Sequence, residues 1–248
     1  MDLILPFLRE IHLNDTLEWY LAHTEEYSKA FNRNAQYIEL LIEQIGRFDP
    51  AIRELKLDDC SFGLISDRKL RINERRYNDF FSGSFTRGGK YSGYASYYYQ
   101  ISPEPSSSGG SFLAVGIYNP NKELMDYIRR EFTTRGEHIV SLIRKSKFEL
   151  YTRNAMKRLP TEFVDSDLRF HSYMRQRDLI LIKRLDTSWF EQDNWVAATA
   201  AEFQRCMPFV EFVNSVVDKH RSECPLPAGH GLRPIKRSTR NELEEAQL

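Results

Sequence analysis

The stretch that decides the fold runs from residue 60 to residue 118 and reads CSFGLISDRKLRINERRYNDFFSGSFTRGGKYSGYASYYYQISPEPSSSGGSFLAVGIY. It contains four short apolar and aromatic runs, separated by the turn-favouring residues Gly, Pro, Ser and Asn. The runs cover residues 62–65, 80–85, 94–101 and 112–118. We therefore predict an antiparallel β-meander, with a turn at Gly88-Gly89 and a flexible hairpin connection at 103–110.

A cationic loop, Asp67 to Asn78, lies between the first two predicted strands. Five Lys or Arg residues fall within residues 67–76, and Tyr77 follows them. Guanidinium groups can hold a phosphate or a carboxylate through paired hydrogen bonds. The same composition suits a solvated loop in which Asp67 and Glu74 pair with the arginines, which contributes little free energy. Both interpretations stay open from the sequence.

The run Tyr97-Tyr98-Tyr99 could stack on bases or sugars. Alternation along a strand places Tyr97 and Tyr99 on one face and Tyr98 on the other. At least one face must therefore be core, and sheet packing explains the run without a ligand.

Two helices are predicted before the meander. Asn14 is a candidate N-cap for the first, whose apolar residues recur at three- and four-residue steps from Leu17 to Phe31. The second covers about 35–48 and ends at Asp49-Pro50.

More helices and two short strands are predicted after the meander. Asn119-Pro120 marks a helix start, and a short break at 133–136 precedes a further helix. Apolar runs at 148–151 and 179–182 are candidate strands. Residues 194–220 keep helical spacing, with a kink or split at Pro208. The prediction is an α+β fold, an antiparallel β-sheet meander flanked by N-terminal and C-terminal α-helices.

Composition sets the broad class. The chain has 248 residues and equal numbers of basic and acidic side chains, 35 each, so no overall field attracts nucleic acid, and any anion site must be local. The start lacks the pattern of a signal peptide, and no apolar run is long enough for a membrane span. Three widely spaced cysteines argue for a reducing compartment, so we expect a cytoplasmic protein.

The six histidines show no metal-ligand spacing, so neither a metal nor another cofactor is expected. Cys60 and Cys206 lie in apolar surroundings and are expected to be buried thiols. We predict a single α+β domain at 1–220. The polar segment 221–248 is expected to be a mobile tail.

Several short motifs, in order, resemble the bacterial family known as domain of unknown function 2461. The resemblance spans about residues 4 to 218. Its pieces are Leu17-Glu18-Trp19-Tyr20, Tyr27, Tyr98-Tyr99, Gly109-Gly110, Pro120, Ile128-Arg129, Lys157, Pro160, Phe163, Pro208, Phe212 and Asn214. In the family's charged hallmark, Asp67, Asn73 and Tyr77 match and Lys69 keeps the charge. Ser66 and Glu74 depart from it, replacing an arginine and a lysine. The family implies the architecture and brings no established activity.

Two hypotheses follow for function. In the first, a small phosphate- or carboxylate-bearing ligand binds where separate cationic segments converge, beside an apolar wall. Its residues are Asp67, Lys69, Arg71, Arg75, Tyr77, Arg129, Lys157, Trp19 and Tyr98. In the second, the mixed-charge loop and the aromatic strands contact a protein partner of unknown identity. Neither assigns a catalytic residue, and nucleic acid ranks third because the total charge is neutral.

Overall fold

The computed structural model describes residues 3–64 and 76–224. Its elements, in chain order, are α1 (Ile4–Leu13), α2 (Leu17–Ala22), α3 (Thr24–Gly46), α4 (Leu57–Cys60), β1 (Phe81–Thr86), β2 (Ser96–Ile101), β3 (Phe112–Ile117), α5 (Lys122–Ser146), β4 (Glu149–Leu150), α6 (His171–Met174), β5 (Leu179–Arg184) and α7 (Trp195–Glu223). Short 3₁₀ turns at Pro50–Ile52, Thr161–Phe163, Leu168–Phe170 and Thr187–Glu191 complete the path.

The strands form one antiparallel sheet of five strands in the order β1-β2-β3-β5-β4. Three of the four predicted meander strands are present as β1, β2 and β3, and both short candidate strands are present as β4 and β5. Gly88 and Gly89 take positive φ angles of 76° and 88° in the turn between β1 and β2, as the sequence predicted. The α+β class is therefore confirmed.

The first predicted strand is wrong within the part of it that the structure describes. Between residues 61 and 64 the chain makes a single bridge, from Ser61 to Gly83 on the outer edge of β1, and continues no ladder. Ile65, the last residue of that run, lies outside the described ranges.

The helices α3 and α7 cover one face of the sheet. Tyr97 and Tyr99 point into this layer and are fully buried, with the Tyr97 ring 5.4 Å from that of Phe203 in α7. The Tyr99 hydroxyl donates to Asn34 Oδ1 in α3 at 2.8 Å. Tyr98 is half-buried on the opposite face. The alternation predicted for the three tyrosines is confirmed, and the face carrying Tyr97 and Tyr99 is core.

The N-terminal helices differ from the prediction in number and in caps. Helix α1 was not predicted, and its residues Ile4, Leu8 and Ile11 are fully buried. Asn14 ends α1 as its C-cap instead of starting the next helix. The N-cap of α2 is Thr16, whose hydroxyl accepts a hydrogen bond from the backbone N–H of Trp19 at 3.2 Å.

A break at His23 also divides the apolar pattern of residues 17–31 between two helices. The second of these, α3, continues without interruption through the predicted helix at 35–48 as far as Gly46.

Helix α5 begins two residues later than predicted and is kinked rather than broken. Its N-cap is Asn121, and Asn119 instead takes a left-handed φ of 49° with its N–H bonded to Asp178 Oδ1 at 2.7 Å. The predicted break at 133–136 is reduced to one non-helical residue, Arg135, within a continuous element. The next residue, Gly136, lies against the ring of Phe170.

We expect Gly136→Ala to destabilise the protein, although alanine is ordinarily the better helix former by about 1 kcal/mol. A Cβ at this position would meet the Phe170 ring, with Cδ2 and Cζ both 2.6 Å away. Overpacking of this kind costs about 1–3 kcal/mol. Urea unfolding measures the change, and Thr133→Ala on the exposed side of the same helix serves as control, within about 0.5 kcal/mol of wild type. A gain in stability for Gly136→Ala would contradict the packing.

The final helix begins where the sequence predicts. Asn194 is the N-cap of α7, and the helix runs through Pro208 as one element to Glu223, three residues into the segment expected to be a tail. The remainder of that segment, 225–248, lies outside the described residues. No helix in 3–64 or 76–224 combines the length and the apolar character needed to cross a membrane.

Candidate functional site

The described residues on the two sides of the cationic loop are held together by hydrogen bonds. The N–H of Asn78 donates to the carbonyl of Leu64 at 2.8 Å. The carboxylate of Asp15 accepts the N–H groups of Arg76 and Tyr77, each at 2.9 Å. We call residues 76–79 and their partners the loop base. The intervening residues 65–75, which include the predicted Asp67, Lys69, Arg71 and Arg75, lie outside the described ranges.

Tyr77 belongs to the loop base and is buried, with 3 % of its surface exposed. Its ring stacks on Tyr20 of α2, with 4.8 Å between ring centroids. Burial raises the pKa of the Tyr77 hydroxyl. This shift favours the protonated hydroxyl, which can donate a hydrogen bond.

Asp79 connects the loop base to α1 and to the loop after β2. Its side chain is 1 % exposed, and Oδ2 lies 2.7 Å from Nδ1 of His12. The same oxygen accepts the N–H of Ser107 at 2.7 Å. An imidazole oriented by a buried carboxylate is a familiar arrangement in enzymes, but it also satisfies a buried charge in proteins without activity.

A network of side-chain hydroxyl and amide groups lies beside Asp79, at the same end of the sheet. We call it the hydroxyl network; its members are Tyr98, Gln100, Ser102, Ser106 and Ser108. Gln100 is at its centre: Nε2 donates to the hydroxyls of Ser102 and Ser108 at 3.1 Å, and Oε1 accepts from Tyr98 at 3.2 Å. Ser108 is in turn 2.7 Å from Ser106. Burial raises the pKa of Tyr98 to about 12, so its hydroxyl also stays protonated.

The sequence predicted only Tyr98 of this network. The tripeptide Ser106-Ser107-Ser108 was predicted to be part of a flexible connection, whereas the hydroxyls of Ser106 and Ser108 and the N–H of Ser107 are all hydrogen-bonded. A further cation at this end, Arg184, was also missed; its Nη1 donates to the carbonyl of Gly109 at 2.9 Å. A signal existed, because three consecutive serines before a Gly-Gly pair concentrate hydroxyl groups in one turn.

Trp19 lies in the N-terminal helical layer. Its ring stacks on His23 at 4.0 Å and is 6.0 Å from Phe7, whose ring in turn stacks on Phe81 in β1. It is thus near the loop base but within the helical layer, whereas Tyr98 occupies the opposite face of the sheet.

Arg129 is a buried structural group. Its guanidinium is 5 % exposed and donates to the carboxylate of Asp126 at 2.6 Å. It also donates to the carbonyl oxygens of Met174 at 2.7 Å and Gln176 at 2.8 Å. These contacts connect α5 to the segment that leads into β5, so the guanidinium of Arg129 has a structural role.

Lys157 is exposed and lies near that same segment, because the N–H of Met156 donates to the carbonyl of Arg175 at 2.8 Å. The strand registers place this region at the opposite end of the sheet from Tyr77, since Phe81 begins β1 level with the end of β5. Three strand spacings, about 14 Å, and six residues along the strands, about 20 Å, separate the two strand starts. The structure therefore does not bring Arg129 and Lys157 to Tyr77.

The buried cysteines are unsuited to nucleophilic chemistry. Burial raises the pKa of Cys60 and of Cys206 to about 12, so both are thiols at neutral pH, as expected from their apolar surroundings. Within residues 3–64 and 76–224 no cluster of three or more His, Cys, Asp or Glu side chains is arranged to hold a metal ion.

The fold and the site define an α+β protein with a five-stranded antiparallel sheet, helices on one face, and a polar network at one end of the sheet. The chain belongs to the family described as conserved hypothetical protein (DUF2461), whose model matches residues 3–212. The predicted resemblance is thereby confirmed. No curated protein and no solved structure matches the chain.

Proposed function

We propose that this protein binds a small anionic ligand, bearing a phosphate or a carboxylate, between the cationic loop and the hydroxyl network. The observation that carries the proposal is the fastening of the loop ends beside the network, through Asp15 and the Leu64–Asn78 hydrogen bond. The sequence between these two fastened ends carries five cations within residues 67–76, and such groups bind phosphate and carboxylate oxygens. The proposal concerns binding and includes no chemical step.

The charges at the loop base support this arrangement. Two carboxylates there, Asp15 and Asp79, already accept hydrogen bonds from backbone N–H groups, and Asp79 Oδ2 also lies 2.7 Å from His12 Nδ1. The neighbouring serine and tyrosine hydroxyls can rotate to donate to anion oxygens. Lys69, Arg71 and Arg75 supply the positive charge in this proposal, and Tyr98 supplies the apolar wall. Arg129 and Lys157 are left out of it because they lie at the far end of the sheet.

The competing proposal of a protein-binding surface receives less support. It requires the aromatic strands to present a flat exposed patch, but Tyr97 and Tyr99 are fully buried and Tyr98 is half-buried. Aromatic anchors of interfaces need to be accessible in the free protein.

Thermal denaturation with phosphate, citrate and ATP tests the proposal. An anion at ten times its dissociation constant stabilises the native state by about 1.4 kcal/mol. For a chain of this size the melting temperature should rise by about 3–5 °C. The double substitution Lys69→Glu/Arg71→Glu is expected to abolish this shift.

The matched control is Lys29→Glu/Arg47→Glu, which changes the net charge equally at two exposed cations of α3 and its C-cap. It should keep the full shift. The proposal is wrong if none of the three anions stabilises the wild type, or if both double variants lose the shift to the same extent.

A further inference from the structure

A second cationic surface lies at the opposite edge of the sheet from β1, and the function proposed above does not use it. It follows β4, the outermost strand, where residues 151–158 run beside residues 173–178. These two segments hold five basic side chains and one acidic side chain. We call the five the basic edge; they are Arg153, Lys157, Arg158, Arg175 and Arg177.

Backbone pairing brings the two segments of the basic edge together. Ala155 forms an antiparallel bridge with Gln176, and the N–H of Met156 donates to the carbonyl of Arg175. Residues beside such a pair have their Cβ atoms about 5–8 Å apart. The pairing therefore sets the segment that carries Lys157 and Arg158 beside the segment that carries Arg175 and Arg177. Arg153 lies near the start of the first segment, and its Nη1 lies near Gly109.

The charge of the basic edge is not balanced locally. All five side chains are exposed, and none forms an ion pair with any residue in the described ranges. The one carboxylate of the two segments, Asp178, is 5 % exposed and accepts hydrogen bonds from the N–H of Asn119 and from Asn154. Some exposed cations elsewhere are paired: Lys29 and Arg47 each lie 2.6 Å from a glutamate one helical turn away.

We infer that the basic edge binds the phosphodiester backbone of a nucleic acid, without reading its sequence. Four of its five cations are arginines, whose planar fork suits paired contacts with phosphate oxygens. The two segments follow β4, the outermost strand, so their exposed cations can lie along an extended polyanion. The zero net charge of the whole chain argued against nucleic acid. That sum does not reflect the local excess of positive charge at the basic edge.

The side chains around the basic edge argue against two other anionic partners. A membrane surface would require exposed apolar side chains that insert beside the cations. The large apolar residues of the two segments, Tyr151, Met156, Tyr173 and Met174, are all buried or half-buried. Tyr118, which precedes the Asn119 bonded to Asp178, is 75 % exposed, but a single exposed ring is less than the cluster of aromatic anchors at a typical protein interface. A protein–nucleic acid contact is more polar and more positively charged, as this edge is.

Fluorescence anisotropy with labelled 20-mer duplex DNA and single-stranded RNA of mixed sequence tests the inference. Five phosphate contacts give a slope of log K against log salt of about −4.5 for the duplex, so raising the salt from 50 to 200 mM should weaken binding about 500-fold. Arg175→Glu/Arg177→Glu should weaken binding at 50 mM salt by about tenfold or more and flatten the slope by about two units.

Three comparisons keep this outcome interpretable. Lys29→Glu/Arg47→Glu carries the same change in net charge and should bind like wild type, whereas Lys157→Glu/Arg158→Glu should repeat the loss. Lys69→Glu/Arg71→Glu, which tests the small-ligand proposal, should keep most of the affinity. Circular dichroism and the melting temperature confirm that each variant is folded.

The inference is overturned if wild type binds neither nucleic acid at 50 mM salt. It is also overturned if the control weakens binding as much as the edge variants, or if polyglutamate or anionic lipid vesicles bind the edge as tightly as the nucleic acids. A basic edge that served only to block edge-to-edge aggregation would give the first of these results.

Discussion

Replacing Gly116 with alanine is expected to remove about 3–5 kcal/mol of stability, a large share of what a domain of this kind possesses. Gly116 lies inside β3, paired with Ser96 on one side and Ile180 on the other. Its φ angle of 123° is one that residues with a side chain rarely adopt. A Cβ would also collide with the carbonyl oxygen of Leu179, and its distance to the carbonyl carbon would be only 3.1 Å.

Two other glycines separate the causes of this loss. Gly110 has a positive φ of 90°, but no atom lies within 4 Å of the position that a Cβ would take there, so Gly110→Ala should cost only the backbone strain of about 1–3 kcal/mol. Gly63 has neither constraint, and Gly63→Ala should stay within about 0.5 kcal/mol of wild type. Urea unfolding of the three variants gives the ranking. If Gly116→Ala loses no more than Gly110→Ala, β5 does not approach β3 as closely as described.

Removing the guanidinium of Arg129 by substitution with methionine is expected to cost about 3–5 kcal/mol, because it takes from the buried Asp126 carboxylate the buried one of its two cationic partners, the other being the exposed Lys122. Two carbonyl oxygens, of Met174 and Gln176, would lose their donors as well. Arg130→Met is the matched control, since the neighbouring guanidinium is 61 % exposed and 3.8 Å from Glu162. That change should cost less than about 1 kcal/mol. Equal losses at the two positions would contradict a structural role for Arg129.

The pairing of Asp126 with its cations also predicts how the stability of the protein changes at acid pH. Burial raises the pKa of the Asp126 carboxyl, but hydrogen bonds from Lys122 and Arg129 outweigh burial and hold this pKa below its ordinary value. The carboxylate therefore stabilises the folded state fully above its unfolded pKa of about 3.9, and this contribution is lost as the pH falls through the folded pKa. The difference in unfolding free energy between wild type and Asp126→Asn should accordingly be largest at neutral pH and shrink below about pH 4.

The meander could be predicted because its signals are local. Aromatic and β-branched residues alternate between turns whose glycines need positive φ, and neither property depends on distant contacts. The N-terminal caps could not be chosen in the same way. Asn14 and Thr16 are both good N-caps, as are Asn119 and Asn121, and the selection between the second pair depends on Asp178, which holds Asn119 from nearly sixty residues away.

The candidate site was predicted unevenly for a related reason. A cation count identifies Arg129 as readily as Arg71, but it does not say whether the fold buries the side chain. The spacing of Lys122, Asp126 and Arg129 favours pairing within the helix, because positions three and four apart on a helix are neighbours. The basic edge was missed because its two segments meet only through the pairing of Ala155 with Gln176, which no local pattern announces.

The position of α7 has a consequence for synthesis on the ribosome. This helix is the last described element, yet it packs on α3, α5 and β3, and its Phe203, Val213 and Val217 are fully or almost fully buried. Because a chain emerges N-terminus first, the sheet surface around Tyr97 lacks this cover until α7 has left the exit tunnel. The nascent protein therefore passes through a stage in which a broad aromatic surface is open to chaperones and to misassociation.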